Sequence, residues 1–135
     1  YRVRLNVLMT GFEGMLRDFG ITAEDLNDIT NHGEVIEFNS SLYQKQESSI
    51  QGIGVFAKKD IAKRCVIGIG TIDNTYKTTL GRYTNHSDLN NAKFYYLENN
   101  DLIMVAEENI LQGSEILINY RHHVNERDSW ISNKA

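Results

Sequence analysis

The chain has 135 residues, 41% of them apolar and 24% charged, with a net charge of −4. That size is one domain with a single core that needs neither disulfides nor a metal for stability. The acidic balance speaks against a protein that lives on phosphate backbones or anionic membranes, and it suits a basic peptide as ligand. A single cysteine, Cys65, excludes an internal disulfide and a cysteine-rich zinc cluster, as fits a reducing compartment. No apolar run approaches the roughly 20 residues of a membrane span and no signal peptide is visible, so a soluble intracellular protein is expected. The chain starts at Tyr1, as a processed or trimmed form would, and without proline its turns fall to Gly, Asn, Asp and Ser.

In chain order, Leu8, Phe12, Met15 or Leu16, and Phe19 recur at helical spacing, although Gly11 and Gly14 weaken that helix. It is either an accessory helix packed on the domain or a partner-binding one. Thr22-Ala23-Glu24-Asp25 resembles a capping box with Asp in the place of Glu, opening a short helix with Leu26 and Ile29 on its apolar edge. From Glu34 the period changes to two. Short strands are expected at Val35–Phe38 and Leu42–Lys45, and Ile50–Ala57 follows a polar turn. A charged turn, Lys58-Lys59-Asp60, precedes a strand from Ile61 to Ile69 with Cys65, Val66 and Ile67 buried, Cys65 as a core thiol. Thr71–Thr79 is short and polar. Phe94–Leu97 and Leu102–Ala106 form a hairpin across a polar connection, Glu115–Ile118 is the last strand, and the charged tail from Val124 to Ile131 holds a helical turn or two. Many short strands with glycine and polar turns make a mainly β domain with peripheral helices.

Taken singly, the candidate motifs are weak. Gly52-Ile53-Gly54 lacks the third glycine and following helix of a dinucleotide fingerprint, though two glycines in a strand let a ligand approach the backbone or mark a bulge. His86 and Ser87 do not make a hydrolase, since adjacent side chains point apart, no acid is placed to orient the imidazole, and no nucleophile elbow is present. His86, His122 and His123 fall into no metal-ligand spacing.

In order, however, the chain shows Gly-x-Gly-x-Phe-Ala at Gly52–Ala57, Arg-x-x-Asn-His-Ser-x-x-x-Asn-Ala at Arg82–Ala92, and Gly-x-Glu-x-x-x-x-Tyr at Gly113–Tyr120. This resembles the SET-domain family of protein-lysine methyltransferases, over about Leu42 to Tyr120, in a compact stand-alone form of viral, phage or bacterial type. The resemblance implies a β-clip-like fold of small curved sheets with a C-terminal pseudoknot and peripheral helices. Residues 1–41 would be an accessory segment, 42–121 the SET core, and 122–135 a tail that lids the cofactor. The implied cofactor is S-adenosylmethionine, with no metal. Backbone at Gln51, Gly52, Ile53 and Gly54 would receive its methionine end. Asn85 and His86 would hold the amino-acid and adenine parts, supported by Arg82, with Trp130 as a cover. Tyr120 would be the catalytic residue, orienting the lysine amine.

The chain also departs from the family. Asn90 stands where proline is usual and Asn119 where aspartate often precedes the tyrosine. The segment before Leu80 is too short for the usual wall of the peptide groove. Gly68 and Gly70 sit where a second aromatic is expected, for which Tyr76 is a replacement, and Phe94 is a candidate channel wall. Ile118, two residues before the tyrosine, has no hydroxyl to restrict room, so the product is not limited to monomethyl-lysine. The expected partner is a lysine-containing basic protein, with no nucleic acid and no membrane, and the chain would be a monomer or homodimer. The alternative is a SET-like module that binds a peptide or S-adenosylmethionine without turnover.

Overall fold

The computed structural model describes residues 11–25, 35–72, 76–99 and 101–125. Among them are nine short strands and three helices, so the protein is mostly strand with few helices, as expected. No helix among the described residues is long and apolar enough to cross a membrane.

The largest sheet has the order β1-β5-β4-β8-β7, with β1 at Val35–Ile36, β4 at Val66–Ile72, β5 at Tyr76–Thr78, β7 at Ala92–Tyr96 and β8 at Leu102–Ala106. Its centre of gravity is the β7–β8 hairpin. Both strands bury every second residue, and Ala92, Phe94 and Tyr96 stand opposite Ala106, Met104 and Leu102 on the same face. A period of two puts one face of such a pair on the core and leaves the other partly wet. Strand β4 lies on the far side of β8 with two irregularities in its register, between Val66 and Gly68 and between Ile69 and Thr71. Gly68 and Gly70 fall in this stretch, and the space an aromatic would need is occupied: a Cβ at Gly70 would stand 2.3 Å from the Phe94 ring, and one at Gly68 2.9 Å from a Leu80 methyl. Phe94 is therefore a core residue packed over Gly70, buried with Met104 and Leu80.

Two smaller ladders complete the core. Strands β2 (Tyr43–Glu47) and β3 (Ile53–Ala57) form an antiparallel hairpin, and β6 (Asn85–His86) pairs with β9 (Leu117–Ile118) in parallel. Helix α1 (Phe12–Phe19) starts after Gly11 and ends at Gly20, both in left-handed backbone, and buries Met15 and Leu16. The part of the expected helix before Gly11 lies outside the described residues. The capping box is formed in both directions: the Thr22 N–H donates to the Asp25 carboxylate and the Asp25 N–H to the Thr22 hydroxyl, each at 3.0 Å. Helix α2 (Thr79–Tyr83) is capped by Thr78 and buries Leu80, and α3 (Tyr120–Asn125) begins on Tyr120 itself; most of the tail helix expected over Val124–Ile131 lies outside the described residues.

Three local expectations need correction. The strand expected from Ile61 begins only at Val66, because the chain turns at Ala62–Cys65 with Arg64 at φ 74, and Ile61 keeps a single bridge to Ile110. Val66 is 53% exposed, since its side chain alternates outward from Ile67, which is buried. The last strand shortens to Leu117–Ile118, with Glu115 bridging Phe56 of β3 instead of continuing the ladder.

Candidate functional site

The segment 113–118 is held on both sides. Toward β3, the Ile116 N–H donates to the Val55 carbonyl at 2.8 Å, Ala57 N–H to Ser114 at 2.9 Å and Gly113 N–H to Ala57 at 2.8 Å. Toward β6, the Ser87 N–H donates to the Ile118 carbonyl at 2.9 Å and the Asn91 N–H to Leu117 at 3.1 Å. The Asn91 side chain extends the ladder, accepting the Leu117 N–H at 2.8 Å and donating to the Glu115 carbonyl at 2.9 Å. An amide side chain here does the work of a backbone residue, satisfying one donor and one acceptor of a strand two residues long. The final segment is thus bracketed between β3 and residues 85–91, the interleaving that a pseudoknotted fold requires.

Asn85 joins all three motifs. Its Nδ2 donates to the Gln51 carbonyl at 3.0 Å and to the Glu115 carboxylate at 2.9 Å. The same carboxylate accepts the Ser48 hydroxyl at 2.8 Å. A Cβ at Gly54 would stand 2.3 Å from that carboxylate, so the second glycine of the Gly-x-Gly pair is needed to let β3 close on Glu115. Burial pushes the Glu115 carboxyl up, opposed by the hydrogen bonds from Asn85 and Ser48.

His86 and Tyr120 are locked together. The His86 ring is 1% exposed. Its Nδ1 accepts the Tyr120 backbone N–H at 3.0 Å, and its Nε2 lies 3.0 Å from the Asp88 carboxylate. A nitrogen that accepts an amide hydrogen carries none of its own, so the neutral ring is the Nε2–H tautomer and donates to Asp88. Burial pushes the imidazole pKa down against the opposing pull of Asp88. The Tyr120 ring stands edge-on to the imidazole, with 5.2 Å between centroids. Its hydroxyl donates to the Thr84 carbonyl at 2.9 Å, and its pKa is pushed up to about 12, by burial first and by the Glu115 carboxylate second.

Of the other residues singled out in the sequence, Ile118 is buried in the β6–β9 ladder opposite His86. Gln51 and Gly52 form the turn into β3, and Ile53 is 42% exposed at its start. Arg82 lies partly buried on α2. Tyr76 is 53% exposed on β5, opposite Ile72 in the large sheet. Trp130 lies outside the described residues. Sequence reasoning missed Ser48, Thr84, Asp88 and Arg121. Thr84 takes part through its backbone carbonyl and Ser48 sits in a polar turn, so neither leaves a side-chain pattern to find. Asp88 lay two residues from His86 and was the acid set aside as absent. A cleft of about 460 Å³ is lined by residues that include Glu37, Phe38, Tyr43, Lys45, Lys58 and Thr79.

A model of the SET domain family matches residues 68–121. No curated protein matches the chain. Among solved structures, a Plasmodium falciparum protein provisionally assigned as a histone methyltransferase is 28% identical over 61% of this chain and 95% of its own, with a TM-score of 0.46. A humanized mutant of the Chaetomium thermophilum Polycomb Repressive Complex 2, bound to the inhibitor GSK126, is 20% identical with a TM-score of 0.45. The same complex in an autoinhibited conformation bound to S-adenosylmethionine is 19% identical with a TM-score of 0.44. Each of these two matches covers 60% of this chain and only 15% of the other. The matched stretch, residues 68–121, holds the second and third of the three motifs, and the resemblance those motifs carry is to that same family.

Proposed function

We propose that the protein is an S-adenosylmethionine-dependent protein-lysine N-methyltransferase with Tyr120 as its catalytic residue. The observation that supports this best is the convergence at one junction of Asn85, His86 and Tyr120, tied to Gln51 and Glu115 by one asparagine side chain.

The residues present fit the implied cofactor. Gly52 sits at φ +46 with nothing within 4 Å of where a Cβ would stand, so the turn backbone at Gln51–Gly54 is open to a ligand. The Thr84 hydroxyl is buried with no hydrogen-bond partner among the described residues, beside the carbonyl that takes the Tyr120 hydroxyl. A buried orphan at this place calls for a further polar group. The Gln51–Gly54 backbone, Asn85 and His86 would hold the cofactor, with Arg82 behind them and Trp130 as a cover. When bound, S-adenosylmethionine supplies an electrophilic methyl carbon on a sulfonium.

The chain's own part is alignment and exclusion of water. With its pKa near 12, Tyr120 remains a phenol at neutral pH and is no general base. Its one hydrogen is committed to Thr84, so its oxygen keeps lone pairs with which it would accept a hydrogen bond from the lysine amine and hold it in line. The amine reaches the site already deprotonated, which desolvation in an apolar channel favours. Ile118 offers no hydroxyl to fill the space beside the amine, and a product beyond monomethyl-lysine follows. A net charge of −4 suits a basic protein as substrate.

The test is transfer of labelled methyl from S-adenosylmethionine to basic protein extracts. The wild type should transfer, and Tyr120→Phe should lose about a hundredfold or more in rate with its fold intact. Cofactor binding by calorimetry without any transfer would instead support a binding module without turnover. Full activity in Tyr120→Phe would falsify the role of the tyrosine.

A further inference from the structure

Helix α1 lies outside the segment that matches the SET family, yet it is seated on the junction. A Cβ at Gly11 would stand 1.7 Å from the Asp88 carboxylate, so the helix N-terminus rests directly on that group. From the last turn of the helix, Asp18 accepts two hydrogen bonds from Arg121, from Nε at 3.0 Å and Nη2 at 2.7 Å. The third arm of the guanidinium, Nη1, donates to Asp88 at 2.7 Å. The same Asp88 oxygen faces His86 Nε2, and His86 Nδ1 receives the N–H of Tyr120, the residue next to Arg121. The result is a closed ring, Tyr120–Arg121–Asp88–His86–Tyr120, with Asp18 of α1 holding it from outside.

We propose that helix α1, through Asp18, Arg121 and Asp88, fixes the tautomer of His86 and with it the placement of Tyr120, making Asp88 and Arg121 positioning residues of the site. The inference rests on the methyltransferase reading for its consequence in catalysis and on geometry alone for its structural part. A neutral imidazole can carry its hydrogen on either nitrogen. Asp88 favours Nε2–H, which leaves Nδ1 as the acceptor that Tyr120 needs. Without Asp88 the buried ring is free to carry its hydrogen on Nδ1, donor against donor at the Tyr120 amide. Among the described residues, the charged or titratable groups that face His86 are Asp88, Arg121, His122 and the Tyr120 ring. Asp88, Arg121 and Asp18 have side chains 43%, 27% and 61% exposed, and ion pairs that exposed add little to global stability. The clamp therefore acts on where Tyr120 sits more than on whether the chain folds.

Nitrogen-15 NMR of the histidine rings in the free protein, with amide hydrogen exchange at Tyr120, tests this without any assay of activity. The wild type should show His86 as Nε2–H with a protected Tyr120 amide. Asp88→Ala should shift the ring toward Nδ1–H and speed Tyr120 exchange about tenfold or more. Asp88→Asn keeps an acceptor oxygen and should restore much of both. Asp18→Ala, on the exposed face of α1, should give a smaller change in the same direction with an unchanged melting temperature. In methyl transfer, Asp88→Ala should lower kcat about tenfold while leaving KM close to wild type. A wild-type His86 in the Nδ1–H form, or a Tyr120 amide whose exchange is the same in Asp88→Ala and Asp18→Ala as in wild type, overturns the proposal. Absence of methyl transfer in the wild type overturns only the functional reading, since the NMR outcomes stand by themselves.

Discussion

In the β7–β8 hairpin five residues face five, and their inward side chains are Ala92, Phe94, Tyr96, Leu102, Met104 and Ala106. At the β6–β9 junction two residues face two, and the ladder is continued by the Asn91 amide, the His86 imidazole and the Asn85–Glu115 contact. Backbone pairing and apolar burial suffice for the hairpin. At the junction buried polar side chains replace backbone that is not there, so its geometry depends on each partner being present. Apolar packing tolerates loss in proportion to volume, whereas a polar network fails where a single partner is lost.

The largest effect that separates the two regions is expected at Met104, which is fully buried in the hairpin. Met104→Ala should destabilise the protein by about 3 to 4 kcal/mol in denaturant unfolding. Methyl transfer per folded molecule should be unaffected, and a selective loss of activity in this variant would break the comparison.

Asn91→Leu comes next. It removes the partners of the Leu117 N–H and the Glu115 carbonyl, at a cost of about 2 kcal/mol. Here transfer should fall further than stability does, because the displaced strand leads directly into Tyr120. Unfolding and activity measured on one preparation decide the point, and parallel losses would show the junction to be no more polar in its logic than the hairpin.

The smallest effect is in pH dependence, and the junction carries two components of opposite sign. His86 has a folded pKa below 6.5, so its contribution to stability is complete above pH 6.5 and is lost as pH falls through the folded value. Protonation there also places a hydrogen on Nδ1 against the Tyr120 amide, so activity should decline on the same acid limb. Glu115 has a folded pKa above 4.5, so its contribution is present below pH 4.5 and is lost as pH rises through the folded value. Glu115→Gln keeps one acceptor oxygen for Asn85 without a titrating carboxyl and should flatten the second component while leaving the first. Melting curves of both proteins between pH 4 and 8 show this, and an identical pH profile for the two would remove Glu115 from the account.

Much of the hairpin and the caps was legible from the sequence. The alternation in Phe94–Tyr96 and Leu102–Ala106 and the Thr22–Asp25 box are local patterns, and local patterns survive folding. The expected strand at Ile61 failed for a local reason of another kind: Arg64 adopts a left-handed turn conformation that nothing in its residue type announces. The site was legible only as three motifs in order. Gly52–Gly54, Asn85–His86 and Tyr120 could be matched to a family, but the partners that hold them were out of view. Glu115 lies 67 residues from Ser48, and Arg121 lies 103 from Asp18. The burial of Phe94 over Gly70 was likewise out of view, since the two lie 24 residues apart.

By itself the sequence determined the mainly β character of the domain, the position of the hairpin and the three motifs that meet at the junction, because periodicity, caps and motif spacing act within a few residues. Only the tertiary structure decided which nitrogen of His86 carries its hydrogen, where the Tyr120 hydroxyl points, and that helix α1 rests on Asp88 and pairs with Arg121. Those are set by hydrogen bonds that reach His86 and Thr84 from 34 and 36 residues away, and a contact between distant segments exists only once the chain has closed on itself.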